Sequence, residues 1–238
     1  MSSLNPERQL AYGALQELRE TRENPFVPTA DIDMVWVLSA PGTYSTLTED
    51  GVYTGDSPDR TVIDHGIGIV KQITGLRVGK SPQDVTKDDI EAHGPIFYYN
   101  GESEESQDYR WAQNKDLIEA AQSPDFPLPL SKMIIDTIDV ANTPGQMVGI
   151  TKWLAETGYR GKIVTVSIGA HNLRVGRYIE HYKAGFPEGV TFLEAPATQE
   201  HNPVGHTKRE VDKVPLYWLA GDLASKSYFA DTDPLEVF

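Results

Sequence analysis

Residues 132–182 constrain the fold more than any other stretch of the chain. An apolar run (132–136), a polar loop, an amphipathic helix ending near Thr157, a second apolar run (162–167) and a helix start at His171 follow in that order. Two short apolar runs flanking a helical pattern are the sequence form of a βαβ unit, whose strands are parallel. Both runs end in small polar residues where a helix begins. Open α/β sheets bind ligands at that edge, outside the carboxyl ends of their strands. The stretch places a site without naming a reaction.

The rest of the chain repeats the alternation. Ile32–Leu38 is a nearly continuous apolar run, suited to a strand covered on both faces, and it stops at Ser39-Ala40-Pro41-Gly42. A short aromatic strand over 95–99 ends at Asn100-Gly101, and another strand is predicted over 190–193. Helices are predicted over 5–22, over 60–76 despite Gly66 and Gly68, within 80–93 behind an acidic start, up to Ala121, and over 207–223 with Pro215 delaying or kinking it. This argues for a three-layer α/β fold with a mainly parallel sheet. The expected organisation is an N-terminal helix in 1–30, an α/β domain over 31–224, and an aperiodic tail over 225–238. Residues 43–93 read as a smaller helical insertion, layer or subdomain that the strand pattern does not place.

Composition narrows the function. A net charge of −14 on 238 residues gives no concentrated positive field for a nucleic acid. A small anion stays compatible, because arginines and helix N-termini oppose the global field locally. The absence of cysteine removes disulfides, thiolate metal sites and a cysteine nucleophile, and fits a reducing compartment. No basic-then-apolar leader opens the chain, and no apolar run approaches the ~18 residues of a membrane span. The expectation is a cytoplasmic protein with neither a nucleic-acid nor a membrane partner and an oligomeric state left open.

Four strand-end loops should line one crevice: 39–42, 100–105, 139–143 and 167–174. The carboxyl ends of neighbouring parallel strands lie roughly 5 Å apart. Thr143-Pro144-Gly145-Gln146 has the form of a capping box, with Thr143 as the cap. It is either only a well-started helix or one whose amides, with Asn142 and Thr143, bind an anionic group. His171 and Arg174 share a helical face. His171 is a candidate general base and Arg174 a two-pronged clamp for phosphate or carboxylate, the alternative being a surface arginine paired with a glutamate. Glu102, Glu104, Glu105 and Asp108 offer a catalytic acid or base, a metal site with Asp139, or simply a solvated helix start. The remaining histidines show no zinc-ligand spacing, Gly66-Ile67-Gly68 lacks the rest of a dinucleotide signature, and there is no nucleophile elbow or P-loop.

These same blocks resemble the YdcF/SanA/ElyC family of α/β domains. The matching segments are VLSAPG (37–42), SPDR (57–60), YYNGESEE (98–105), ANTPGQ (141–146) and VTVSIGAHNLRVGRYI (164–179), within a likeness that covers about 33–221. The chain departs from the family pattern at Asn100-Gly101-Glu102, where Ser-Gly-Gly is usual. It departs again at Gln146, where asparagine is common, and in the longer stretch between Thr43 and His93. The resemblance implies a Rossmann-like fold of the soluble branch, with a polar crevice for a nucleotide-like or phosphorylated small molecule.

The resulting expectation is an enzyme, a hydrolase or transferase, acting on a small anionic metabolite: a phosphorylated, nucleotide-linked or adenosyl compound. His171, Glu105 and Glu104 are the catalytic candidates. Ser39, Gly42, Arg60, Asn100, Gly101, Asn142, Thr143, Ser167 and Arg174 are the ligand-binding candidates. The cofactor is undetermined, with S-adenosylmethionine, a nucleotide and a divalent metal all compatible. The alternative is a non-catalytic module that binds or senses a nucleotide-like ligand.

Overall fold

The structure, a computed structural model, describes residues 25–40, 42–45, 57–102, 112–136, 142–169 and 171–197, together with Gly13 and Gln16. Gly13 and Gln16 are helical; the rest of the helix expected over 5–22, the helix expected over 207–223 and the tail lie outside the described residues. Glu104, Glu105, Asp108 and Asp139 lie outside them too.

Strand β1 (Ile32–Leu38) is the centre of the sheet, and every residue of it except Asp33 is buried. Alternation sends its side chains to opposite faces of the sheet. Val35 and Val37 join one apolar cluster, and Met34, Trp36 and Leu38 join the other. The first cluster is closed by α1 (Pro58–Val78), α2 (Lys87–His93) and α3 (Gln113–Ala121), through residues such as Ile63, Val70, Ile90 and Leu117. The second is closed by α4 (Thr143–Thr157) and α5 (Asn172–Tyr182), through Met147, Ile150, Leu154, Val175 and Tyr178. Helices therefore cover both faces, and the protein is a three-layer α/β fold.

The sheet has five strands, all parallel, in the order β3-β2-β1-β4-β5, with β2 Ile96–Asn100, β3 Met133–Ile135, β4 Gly161–Val166 and β5 Val190–Glu194. β1 pairs with β2 from Met34↔Ile96 to Leu38↔Asn100, and with β4 up to Val37↔Val166. The chain moves outward from β1 to β2 and β3, then returns through α4 to lay β4 on the other side of β1. The direction of winding reverses between β1 and β4, which is where open α/β sheets bind ligands.

Residues 43–93, which the strand pattern alone does not place, contain α1 and α2, the connection from β1 to β2 on one face. Ser57 caps α1 by accepting from the Arg60 N–H at 3.0 Å, and Pro58 opens it. The two glycines of α1 differ. A Cβ on Gly66 would stand 2.4 Å from Val37 Cγ2 and 3.2 Å from Phe97, so Gly66 sets how closely α1 approaches the sheet, whereas a Cβ on Gly68 meets nothing within 4 Å. Among the described residues no helix is long and apolar enough to cross a membrane.

Candidate functional site

The loop after β1 is built by hydrogen bonds from distant side chains. The Ala40 N–H donates to Asp59 Oδ1 at 2.9 Å, and Gln113 Nε2 donates to the Ala40 and Gly42 carbonyls at 2.5 and 2.8 Å. The Ser57 hydroxyl donates to the Thr43 carbonyl at 2.5 Å. Gly42 sits at φ +99°, where a Cβ would also lie 2.7 Å from Ser57 Cβ. Gln113 and Asn114, the first residues of α3, reach the next two strands as well. Gln113 Oε1 accepts from the Glu102 N–H at 2.8 Å, and Asn114 joins the Gly101 N–H at 3.0 Å to the Asp136 carbonyl at 2.8 Å. Two adjacent amide side chains thus tie together the carboxyl ends of β1, β2 and β3. Ala112, just before them, is held in a left-handed conformation at φ 42°, which for a non-glycine costs about 1–2 kcal/mol.

Helix α4 starts one residue earlier than the capping-box reading. The cap is Asn142, whose Oδ1 accepts from the Gly145 N–H at 2.8 Å, and Thr143 is already helical. Asparagine ranks above threonine as a cap, so Asn142 takes the role and the Thr143 hydroxyl is released. The Gln146 side chain does not reach back to the cap. Its Nε2 donates to Ser39 Oγ and to the Ser39 carbonyl, at 3.4 Å for the latter. Asn100 links the same turn to the sheet: its Oδ1 accepts from Trp36 Nε1 at 3.0 Å and its Nδ2 donates to the Gln146 carbonyl at 2.8 Å. The first turn of α4 therefore lies across the ends of β1 and β2.

At the end of β4, Ser167 Oγ donates to Asn172 Oδ1 at 3.1 Å, and Asn172 Nδ2 donates to Glu194 Oε2 at 2.7 Å. The Gly169 N–H donates to the Ala197 carbonyl at 2.9 Å. His171 precedes α5, and its Nε2 lies 2.9 Å from Thr143 Oγ1. Either atom can hold the proton between them. With Nε2 as acceptor, the imidazole is a base toward the Thr143 hydroxyl, which itself belongs to a helix start. Arg174, one turn further along α5, is 8% exposed, and its N–H donates to the His171 carbonyl at 2.9 Å.

The structure thus brings Ser39, Asn100, Thr143 and His171 to one rim, with Gln146 joining the first two and Asn142 at its outer end. Ser167 sits beside it and gives its hydroxyl to Asn172 at the start of α5. Gly42 and Gly101 shape the neighbouring loops through their backbone. Arg60 faces elsewhere: among the described residues it pairs with Asp64 at 3.3 Å and lies 5.1 Å from the centre of the Tyr44 ring. The anion-binding amides expected at α4 are largely committed, since Pro144 has no N–H and the Gly145 N–H belongs to Asn142. Glu102 is 2% exposed, which rules out a solvated helix start at that position. No group of three or more His, Asp or Glu residues among the described ones could hold a metal ion.

Three residues at this rim escape sequence reasoning. Gln113 and Asn114 read as the polar start of an ordinary helix, and nothing local marks their reach. Asp59 reads as a first-turn carboxylate that complements the helix dipole. It is instead fully buried, and both its oxygens accept from the Tyr99 hydroxyl, at 3.0 and 2.9 Å. Burial pushes the Asp59 carboxyl up to about 8, with Asp116 adding in the same direction, against the lowering effect of the Ala40 N–H and the Tyr99 hydroxyl. Of the buried oxygens beside these strand ends, Gln146 Oε1 and Thr43 Oγ1 have no hydrogen-bond partner among the described residues. Comparison with family models, with curated proteins and with solved structures finds no match to this chain.

Proposed function

We propose that this protein is an enzyme acting on a small anionic metabolite bound between the carboxyl ends of β1 and β4, in the manner of a YdcF-like hydrolase or transferase. The observation that carries this reading is the Thr143–His171 pair, 2.9 Å apart at the point where the winding of the sheet reverses. His171 is the general base or acid, exchanging its proton with the ligand through the Thr143 hydroxyl that its Nε2 faces: Thr143 passes its own proton to Nε2 as it takes the ligand's. Negative charge on the ligand is favoured by the N-terminal ends of α4 and α5, both directed at this rim, and by Arg174. A phosphorylated, nucleotide-linked or adenosyl compound carries such a charge or the groups that accompany it.

A panel of such metabolites, incubated with the protein and followed by mass spectrometry, tests the proposal. Consumption of one compound that falls at least about 100-fold in His171→Ala supports it; turnover unchanged in His171→Ala rejects the assigned role. A second reading, a binding or sensing module, is favoured by the many rim amides already committed within the protein. A compound that raises the melting temperature yet is recovered intact establishes that reading instead.

A further inference from the structure

We infer that the rim contains a subsite for a hydroxyl group of the ligand, formed by Gln146 Oε1 and the Ser39 hydroxyl. The inference rests on the ligand reading above and narrows it to hydroxylated anions. Gln146 is 3% exposed, and its position within the first turn of α4 puts its amide over the end of β1. Both of its donor bonds go to one residue, the Ser39 hydroxyl oxygen and the Ser39 carbonyl. The carbonyl fixes which way the amide points: turned over, Oε1 would face another acceptor. Oε1 is thereby left buried without a donor among the described residues, a condition that buried carbonyl oxygens rarely sustain.

The serine completes the pattern. Its oxygen accepts from an amide nitrogen that can only donate, so its own proton must be directed away from Gln146. Ser39 is half-buried and keeps access to solvent. The two side chains therefore present an acceptor and a donor close together. The complement is a group that both donates and accepts at one atom, which is an alcohol. A carboxylate or phosphate oxygen would satisfy Ser39 and be repelled by Oε1. An alkyl group would leave Oε1 unpaired. Thr143, one turn before Gln146, sets His171 beside this subsite, so the hydroxyl would lie near the base.

Matched pairs of small anions, differing by one hydroxyl, provide the test: glycerol 3-phosphate against 3-hydroxypropyl phosphate, ribose 5-phosphate against 2-deoxyribose 5-phosphate, and lactate against propionate. Dissociation constants are measured by calorimetry on the wild-type protein, on Gln146→Met and on Ser39→Ala, with melting temperatures confirming that each variant is folded. In at least one pair the hydroxylated member should bind the wild type about tenfold more tightly. That ratio, rather than affinity in general, should collapse toward one in both variants. A purely structural role for Gln146 would weaken both members alike. Equal binding within every pair, a preference that survives Ser39→Ala, or no binding by any member overturns the subsite. An unhydroxylated anion consumed in a His171-dependent, Gln146-independent way would overturn it while leaving the catalytic reading intact.

Discussion

The loop after β1 draws its hydrogen bonds from Asp59 on α1, Gln113 on α3 and Gln146 on α4, partners 19 to 107 residues away. The loop after β4 draws its own from Asn172, five residues on in the helix it leads into, and from the backbone of Ala197 in the one loop beyond β5. These loops form the two sides of the proposed crevice. One side is fixed by the closure of the whole fold, because its bracing groups are in place only when α1, α3 and α4 are all docked. The other is held by its own helix and one neighbouring loop. The difference implies a rigid wall at β1 and a side at β4 whose local stability is lower.

The largest expected effect lies on the rigid side, at Asp59. Its carboxyl keeps a proton up to about 8 in the folded state but releases it near 3.8 when the chain unfolds. The stabilisation tied to that proton is fully present below pH 4 and is lost as pH rises to about 8, a decline of roughly 5 kcal/mol if this group acted alone. Denaturation of Asp59→Asn at a series of pH values should show that slope removed. A slope as steep as that of the wild type would mean that Asp59 is not the group responsible.

Next come the amide braces. Gln113→Ala takes away the donor to two carbonyls and the acceptor for one N–H, and should cost about 3 kcal/mol in urea unfolding. Asn172→Ala, on the other side, breaks the links to Ser167 and Glu194 and should cost about 1 kcal/mol. Equal losses, or a reversed order, would remove the contrast between the walls. The backbone gives a smaller version of the same contrast. Alanine at Gly42 meets both a φ of +99° and the Ser57 side chain, and should cost about 2 kcal/mol. At Gly169 the added Cβ stands 3.3 Å from the Ala197 carbonyl without a positive φ, so the change should stay within about 1 kcal/mol.

The contrast also explains what the sequence could disclose. The βαβ unit over 132–182 is legible because apolar runs of period 2 and 3.6 alternate within a single window. β1 is legible because a strand covered on both faces needs an unbroken apolar run, which Ile32–Leu38 supplies. Helix α1 is legible in spite of Gly66, although the purpose of that glycine, contact with Val37, is not. The cap of α4 is misread by one residue because Asn142 and Thr143 are both competent caps, and only the packing against His171 shows what the freed hydroxyl does. The bracing of the β1 loop is invisible in advance. A bond from Gln113 to Ala40 spans 73 positions and leaves no periodicity for a local pattern to detect.

The smallest effect on stability, and the most decisive for function, should come from Thr143→Val. Among the described residues, the Thr143–His171 bond is the one side-chain link from α4, which braces the rigid wall, to the loop after β4. Valine keeps the shape and removes only the hydroxyl, so stability should fall by no more than about 1 kcal/mol. Turnover of any metabolite identified as substrate should fall about 10- to 100-fold, because His171 would lose the hydroxyl through which its ring reaches the crevice. The two readouts separate the roles of the bond. A loss of several kcal/mol with turnover per folded molecule unchanged would make it a strut between unequal walls. Near-normal stability with impaired turnover would place the chemistry where the rigid side takes hold of the less stable one.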